Sequence, residues 1–160
     1  MREFFASERI SFVEVSENLV GDYLRMINDV ENVRRFLGAA REPLTDDAER
    51  RWVRRKLEED ARIFSMIEKE SGRFIGNIEL MDAGESEGEL GITITADMQN
   101  RGFGTEAVAA VVACGLGSLG LRRIVLKVYP DNARAIRVYE KCGFREYERT
   151  DKEVYMEIRR

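Results

Sequence analysis

The chain contains no histidine and only two cysteines among its 160 residues. Without histidine, Ser-His-Asp and Cys-His catalytic groups, histidine general bases and most zinc sites are excluded. Cys114 and Cys142 lie far apart and have no metal-binding spacing. We therefore expect no metal site, and proton transfer is left to carboxylates, tyrosine, lysine or ordered water.

Long apolar segments are also missing. No apolar run approaches the roughly 20 residues that a membrane-spanning helix requires. The chain begins Met1-Arg2-Glu3-Phe4, without the core of a signal peptide. We therefore expect no membrane association and a cytoplasmic location. The net charge of -4 argues against nucleic acid as the main partner, because phosphate backbones favour a basic surface. A cationic substrate suits this charge better.

The size and composition are those of an ordinary globular protein. With 160 residues, of which 44% are hydrophobic and 35% charged, the chain is long enough to bury one substantial core. It is too short for two substantial cores. We therefore expect a single domain over residues 1–160.

The hydrophobic residues alternate between strand-like and helix-like periods, which predicts an α/β fold. Strand patterns lie at residues 10–15, 63–67, 74–80, 89–94, 123–129 and 154–158. Helix-like patterns begin near Ser16, Thr45, Thr105 and Asp131. Turn signals join the strands between residues 63 and 94 into an antiparallel meander. The strand, helix and strand from residue 89 to residue 129 predict a right-handed parallel crossover.

One turn has the composition of a phosphate-binding loop. A strand-like run leads into Gln99-Asn100-Arg101-Gly102-Phe103-Gly104-Thr105, and a helix-like run follows. Gly102 and Gly104 can adopt backbone angles that other residues avoid, so the N–H groups of residues 99–105 can converge on an anion. The following helix adds the positive end of its dipole. The alternative is that these residues form only a tight turn between a strand and a helix and bind no ligand.

A second motif follows the next predicted strand. The two motifs are Gln99-x-x-Gly102-x-Gly104 and Asn132-x-x-Ala135-x-x-x-Tyr139-x-x-x-Gly143-Phe144. With both motifs in this order, the chain resembles the GNAT superfamily of acyl-CoA N-acyltransferases over most of its length. The second motif is most similar to the branch that contains ribosomal-protein N-terminal alanine acetyltransferases and polyamine acetyltransferases.

The resemblance implies a GNAT-like mixed central sheet of about six to seven strands. Its N-terminal part is an antiparallel meander, a parallel splayed pair lies in the middle, and helices cover both faces. The splayed pair corresponds to residues 89–95 and 123–129 and holds acetyl-CoA, whose pantetheine arm pairs with the free strand edge. The implied cofactor-binding residues are Ile92, Thr93, Ile94, Gln99, Asn100, Arg101, Gly102, Phe103, Gly104, Thr105 and Asn132.

The resemblance also implies an enzyme that moves an acetyl group from acetyl-CoA to a primary amine by direct attack in a ternary complex. Tyr139 matches the proton donor of the family, since a phenol with an ordinary pKa of about 10 is protonated at neutral pH. Glu89 lies near a position where some members carry a catalytic glutamate, and Glu79 or water are the alternatives for the base. The acceptor stays open between a protein N-terminus, a polyamine and another small amine. Homodimers are common among similar proteins.

Two other functions match parts of the pattern. The segment Gly102-x-Gly104-x-x-Ala107 also fits the dinucleotide fingerprint of an NAD-dependent oxidoreductase, with Asp131 roughly where the ribose carboxylate belongs. The seven residues from Thr95 to Arg101 argue against it, because they separate the strand from the first glycine, where the fingerprint requires an abrupt turn. A catalytically silent acyl-CoA-binding module is the third hypothesis, which Tyr139 disfavours.

Overall fold

The computed structural model describes residues 1–37 and 43–160. In these residues the strands are β1 (Glu3–Ala6), β2 (Ile10–Glu14), β3 (Ile63–Glu68), β4 (Phe74–Gly84), β5 (Glu87–Ile94), β6 (Arg123–Val128), β7 (Arg145–Arg149) and β8 (Val154–Arg159). The α-helices are α1 (Val20–Ile27), α2 (Asp46–Glu58), α3 (Phe103–Leu116) and α4 (Ala133–Lys141). Within the described ranges, no helix is both long and apolar enough to cross a membrane.

The strands form one sheet with the order β1-β2-β3-β4-β5-β6-β8-β7. Neighbouring strands are antiparallel, except that β5 and β6 run parallel with α3 between them in the chain. The predicted α/β class, the meander of β3, β4 and β5, and the central parallel pair are confirmed. The described sheet has eight strands, whereas about six to seven were expected. Strands β1 and β7 were not predicted, because nearly all of their side chains are exposed and their sequences show no apolar alternation.

Two apolar clusters cover the sheet, and each involves a different pair of helices. Phe103 of α3 and Tyr139 of α4 belong to the larger cluster, whereas Tyr23 of α1 and Val53 of α2 belong to the smaller one. On β3, Ile63 belongs to the smaller cluster and Met66 to the larger one. Residues three apart on a strand point to opposite faces, so the expected helices on both faces are confirmed.

The sequence determines locally where the helices begin. Ser16 caps the 3-10 turn before α1, and Thr45 caps α2, each through a side-chain oxygen. The cap of α4 is Asn132, whose Oδ1 accepts a hydrogen bond from the N–H of Ala135 at 3.3 Å. The sequence suggested Asp131 instead. Because α4 begins at Ala133, Asn132 is the residue whose side chain reaches the third amide of the helix.

Candidate active site

The parallel strands β5 and β6 pair over a short stretch and then separate. Residues 87–89 lie opposite residues 123–125. Beyond this point, residues 90–94 continue to pair with β4, and residues 126–128 continue to pair with β8. Among the described residues, no strand pairs with the inner edge of either segment there. The result is a wedge in the sheet that leaves one edge of β5 without a hydrogen-bonding partner strand.

A cavity of about 1060 Å³ includes this wedge and reaches α1 and α2. Of the site residues expected from the sequence, those that line it are Glu89, Ile92, Thr93, Ile94, Gln99, Asn100, Gly102, Gly104, Thr105, Asn132 and Tyr139. The fold therefore brings both sequence motifs to one cavity, although α3 and β6 separate them along the chain.

Two of the expected cofactor-binding residues, Arg101 and Phe103, do not line the cavity with their side chains. The ring of Phe103 is buried in the larger apolar cluster. The side chain of Arg101 is exposed, and its carbonyl oxygen accepts a hydrogen bond from Nη1 of Arg9 at 3.0 Å. Their backbone N–H groups are the part of these residues that suits an anion at this turn.

The loop before α3 has the backbone geometry of an anion-binding site. Asn100 and Gly102 have φ angles of 62° and 82°, and Gly102 is the N-cap of α3 without a side-chain cap. Within the described part of the chain, the N–H groups of residues 102–105 have no hydrogen-bond acceptor. Free amides at the positive end of a helix dipole stabilise a bound anion.

Gly104 lies where the first turn of α3 approaches the end of β5. A Cβ atom at this position would lie 3.4 Å from Cδ1 of Ile94 and 3.7 Å from the methyl groups of Val138. These are ordinary van der Waals distances, so the fold itself would accommodate a methyl group at this position.

The turn between β1 and β2 holds the same loop from outside. The guanidinium of Arg9 lies 4.3 Å from the centre of the Phe103 ring, and its Nε and backbone N–H each donate to the Glu106 carboxylate at 2.8 Å. Ser7 Oγ donates to the same carboxylate at 2.5 Å. Burial opposes ionisation of Glu106, but the hydrogen bonds from Ser7 and Arg9 outweigh it and lower the pKa. The ion pair also balances a negative charge that would repel an anion at this helix end. Sequence reasoning missed Ser7 and Arg9, which carry no local signal.

The hydroxyl group of Tyr139 is available to a ligand. The residue lines the cavity and is only 7% exposed, and its ring packs edge-on against Phe144 with 5.9 Å between the ring centres. No described residue forms a hydrogen bond with the hydroxyl group. Burial, with a smaller effect of Cys142, raises the pKa of Tyr139 to about 12. The phenol therefore stays protonated throughout the physiological pH range.

The two candidate bases lie on one face of the β4 and β5 pair. Glu79 is opposite Gly91, and Met81 is opposite Glu89, so both carboxylates project to the same side. Burial raises the pKa of Glu79; the positive charge of Lys56 opposes this rise and the charge of Glu89 adds to it. The Glu79 carboxylate packs over Gly91, where a Cβ atom would be in van der Waals contact with Oε1 at 3.5 Å.

Charges around the cavity separate by sign. The α2, β4 and β5 side carries Glu49, Glu79 and Glu89, with Arg55 as the exception. The β6, α4 and β8 side carries Lys127, Arg134, Arg137 and Lys141, with Glu153 as the exception. The basic side suits phosphate groups and the acidic side suits a cation. Sequence reasoning did not identify Glu49 as a site residue, although its spacing places this carboxylate on the buried face of α2.

Among the described residues, no group of side chains is arranged to hold a metal ion.

A family model described as "Acetyltransferase (GNAT) domain" matches residues 9–145. The uncharacterized N-acetyltransferase p20 of Bacillus licheniformis is 33% identical over 90 residues, which are 55% of this chain and 51% of that protein. The uncharacterized N-acetyltransferase YnaD and the prophage-derived uncharacterized N-acetyltransferase YokL, both of Bacillus subtilis, are 28% and 26% identical over 60% and 65% of their lengths. The chain thus matches about half to two thirds of these curated relatives.

Solved structures share the fold over nearly the whole chain. A GNAT-family acetyltransferase from Bacillus anthracis superposes with a TM-score of 0.84 and 22% identity, covering 96% of both chains. Spermidine N-acetyltransferase from Vibrio cholerae, in complex with CoA and spermine, gives a TM-score of 0.78 and 20% identity over 96% of both chains. Taken with the match over residues 9–145, the conclusion is that this chain belongs to the GNAT acetyltransferase family.

Proposed function

We propose that the protein is an acetyl-CoA-dependent N-acetyltransferase that transfers the acetyl group directly to a primary amine. The observation that carries this proposal is the wedge, in which the unpaired edge of β5, the free amides of residues 102–105 and the Tyr139 hydroxyl group share one cavity. The N-acetyltransferase relatives support the reaction type. The hypothesis of an NAD-dependent oxidoreductase has no support in the family match.

The residues of the wedge fit the parts of acetyl-CoA. Ile92 and the N–H group of Ile94 lie on the free edge of β5, where they can pair with the amides of the pantetheine arm as an added strand would. The carbonyl of Ile94 already accepts a hydrogen bond from Nε2 of Gln99 at 2.9 Å.

The free amides of residues 102–105 suit the pyrophosphate, whereas the amide of Gln99 already donates to the carbonyl of Ala96 at 3.2 Å. The basic side of the cavity suits the remaining phosphate charge. Asn132 uses Oδ1 to cap α4, which leaves its side-chain nitrogen to donate to the arm.

Acetyl-CoA supplies an acetyl group activated as a thioester. Tyr139 donates a hydrogen bond to the sulfur atom, which stabilises the negative charge that develops there as the C–S bond breaks. Because the pKa of Tyr139 is about 12, the phenol begins the reaction protonated and acts as the proton donor to the leaving group. A catalytically silent module has no use for an unpaired hydroxyl group at this place.

Glu79 accepts the proton that the attacking amine must lose, either directly or through water. Its position on the cavity face and its raised pKa make it a better base for reaction near neutral pH than an ordinary carboxylate. Glu89 stands at the last residue pair before β5 and β6 separate and remains the alternative base, with water as the third. A homodimer, expected from the resemblance, stays a prediction.

The test is release of free thiol from acetyl-CoA with a panel of primary amines that includes monoamines, diamines and N-terminal peptides. We expect release that depends on amine concentration and matches the amount of N-acetylated product found by mass spectrometry. Binding of acetyl-CoA without transfer to any amine would favour the silent module. Absence of both binding and transfer would refute the proposal.

A further inference from the structure

Glu49 is a buried carboxylate in the wall of the cavity. It shares the inward face of α2 with Trp52 and Val53, and only 8% of its surface is exposed. In the part of the chain that the structure describes, no group forms a hydrogen bond or an ion pair with its carboxylate, whose oxygens keep some accessible surface. A buried charge without a partner is unfavourable, and burial accordingly raises the pKa of Glu49.

Two arginines of α2 form ion pairs with carboxylates other than Glu49. Arg50 pairs with Asp46 at 2.6 Å, and Arg54 pairs with Glu17 at 3.0 Å. Helix formation and packing alone would favour an apolar residue at this position, since Val53 one turn later is fully buried among apolar side chains. The unpaired carboxylate therefore points to a positive charge that arrives with a ligand.

The neighbours of Glu49 suit an organic cation. The rings of Tyr23 and Trp52 lie edge-to-face with 5.8 Å between their centres, and both line the cavity. Burial is the main cause of the raised pKa of Tyr23, and the negative charge of Glu49 adds to it. The two side chains therefore interact electrostatically. The Tyr23 hydroxyl group is occupied by the amide of Ser16 and the hydroxyl group of Ser65. Aromatic faces attract ammonium groups, and Glu49 supplies the counter-charge.

The rest of this wall favours an aliphatic chain over a peptide. Met26, Ile27, Val33 and Phe36 line the same cavity as Trp52. Burying the methylene groups of a ligand against such an apolar surface lowers the free energy of binding. A peptide backbone would instead require hydrogen-bonding partners for each N–H and C=O group that it buried.

We propose that Glu49, together with the rings of Tyr23 and Trp52, binds a second positively charged nitrogen of the acceptor, which is a small aliphatic diamine or oligoamine. The inference rests on the proposed function. One nitrogen of the acceptor attacks the thioester beside Tyr139 and Glu79, and a nitrogen at the other end of the methylene chain pairs with Glu49.

The test compares diamines with monoamines of the same chain length in the thiol-release assay. Putrescine and n-butylamine form one pair, and longer homologues give further pairs. We expect kcat/KM for the best diamine to exceed that of its matched monoamine by about tenfold or more, as a charge-assisted hydrogen bond predicts. In Glu49→Gln, KM for the diamine rises by about the same factor, while KM for the monoamine and for acetyl-CoA does not change.

Glu58→Gln is the matched control, because Glu58 is an exposed carboxylate on the same helix. This variant should keep the preference for diamines. Thermal unfolding separates binding from folding: Glu49→Gln removes an uncompensated buried charge, so its Tm should equal or exceed that of the wild-type protein.

Equal kcat/KM for diamines and monoamines would overturn the inference while leaving the proposed function intact. Equal effects of Glu49→Gln on both acceptors, or N-terminal peptides that react better than every diamine, would also overturn it. Absence of thiol release with all amines would refute the proposed function itself.

Discussion

Tyr139 combines burial with an unpaired hydroxyl group, and this combination makes its role testable. Tyr139→Phe removes one oxygen atom and retains the ring contact with Phe144. Because we propose that the hydroxyl group acts on the leaving sulfur in the transition state, we expect kcat to fall by about a hundredfold or more. The dissociation constant of acetyl-CoA, measured by calorimetry, should change little. Equal kcat for the two proteins with a true acceptor would remove Tyr139 from the mechanism.

Glu79 makes a prediction about pH. Because burial raises its pKa, Glu79 stays protonated, and cannot accept a proton, up to a higher pH than an ordinary glutamate, whose pKa is about 4.3. At saturating amine, kcat should therefore fall as the pH decreases through this raised pKa. Glu79→Gln should lower kcat and abolish this acid limb.

Glu89→Gln is the matched variant for the pH prediction, since Glu89 lies on the same face of the sheet. It should retain the acid limb, moved to lower pH, because the charge of Glu89 contributes to the raised pKa of Glu79. The opposite result, in which the limb disappears in Glu89→Gln and persists in Glu79→Gln, would transfer the role of base to Glu89.

The turn between β1 and β2 supports the loop before α3 through Arg9. In Arg9→Ala, the carbonyl of Arg101, the ring of Phe103 and the carboxylate of Glu106 each lose a contact. Glu106 is then an unbalanced negative charge beside the free amides. We expect the dissociation constant of acetyl-CoA to rise by about tenfold, with kcat at saturating acetyl-CoA nearly unchanged. Calorimetric titration and steady-state kinetics measure the two quantities.

Arg2→Ala is the control for Arg9→Ala. Arg2 precedes β1 and packs on the ring of Phe4, so its removal should not alter the affinity for acetyl-CoA. An unchanged dissociation constant of acetyl-CoA in Arg9→Ala would show that the loop before α3 binds the ligand equally well without the Arg9 side chain.

Local patterns in the sequence predicted much of this arrangement. The Gly102 turn and the Asn132 to Phe144 motif were recognisable because each is a short segment with a fixed spacing. The strands that form the meander were predicted correctly because their apolar residues face the core. The α/β class and the central parallel pair followed from the order of these elements.

The parts that sequence reasoning missed depend on contacts between distant segments. Arg9 meets Glu106 across 97 positions, and no local pattern marks either residue. Glu49 lies four residues before Val53 on the buried face of α2, but that the carboxylate lines the cavity depends on how the helix packs against the sheet. Strand β7 forms because β8 offers free backbone groups, not because its own side chains are apolar. Strand β1 has only four residues, and its Phe5 stacks on Phe12 of β2 with 4.4 Å between the ring centres.

The sheet as a unit explains why the wedge persists. Strand β5 is held by β4 along its full length, and β6 is held by β8 along its full length. Each inner strand thus has one complete set of ladder hydrogen bonds, and the opening between them does not depend on a ligand. The separation of acidic and basic side chains across this opening offers different sides of one cavity to the proposed substrates, acetyl-CoA and an amine.

The most direct test of this arrangement is a titration of the isotope-labelled protein with coenzyme A, followed by amide NMR spectra. We predict that the largest shifts occur at the amides of residues 102–105 and along the free edge of β5 at residues 90–94. Largest shifts in another part of the molecule, with these two segments unchanged, would contradict binding in the wedge.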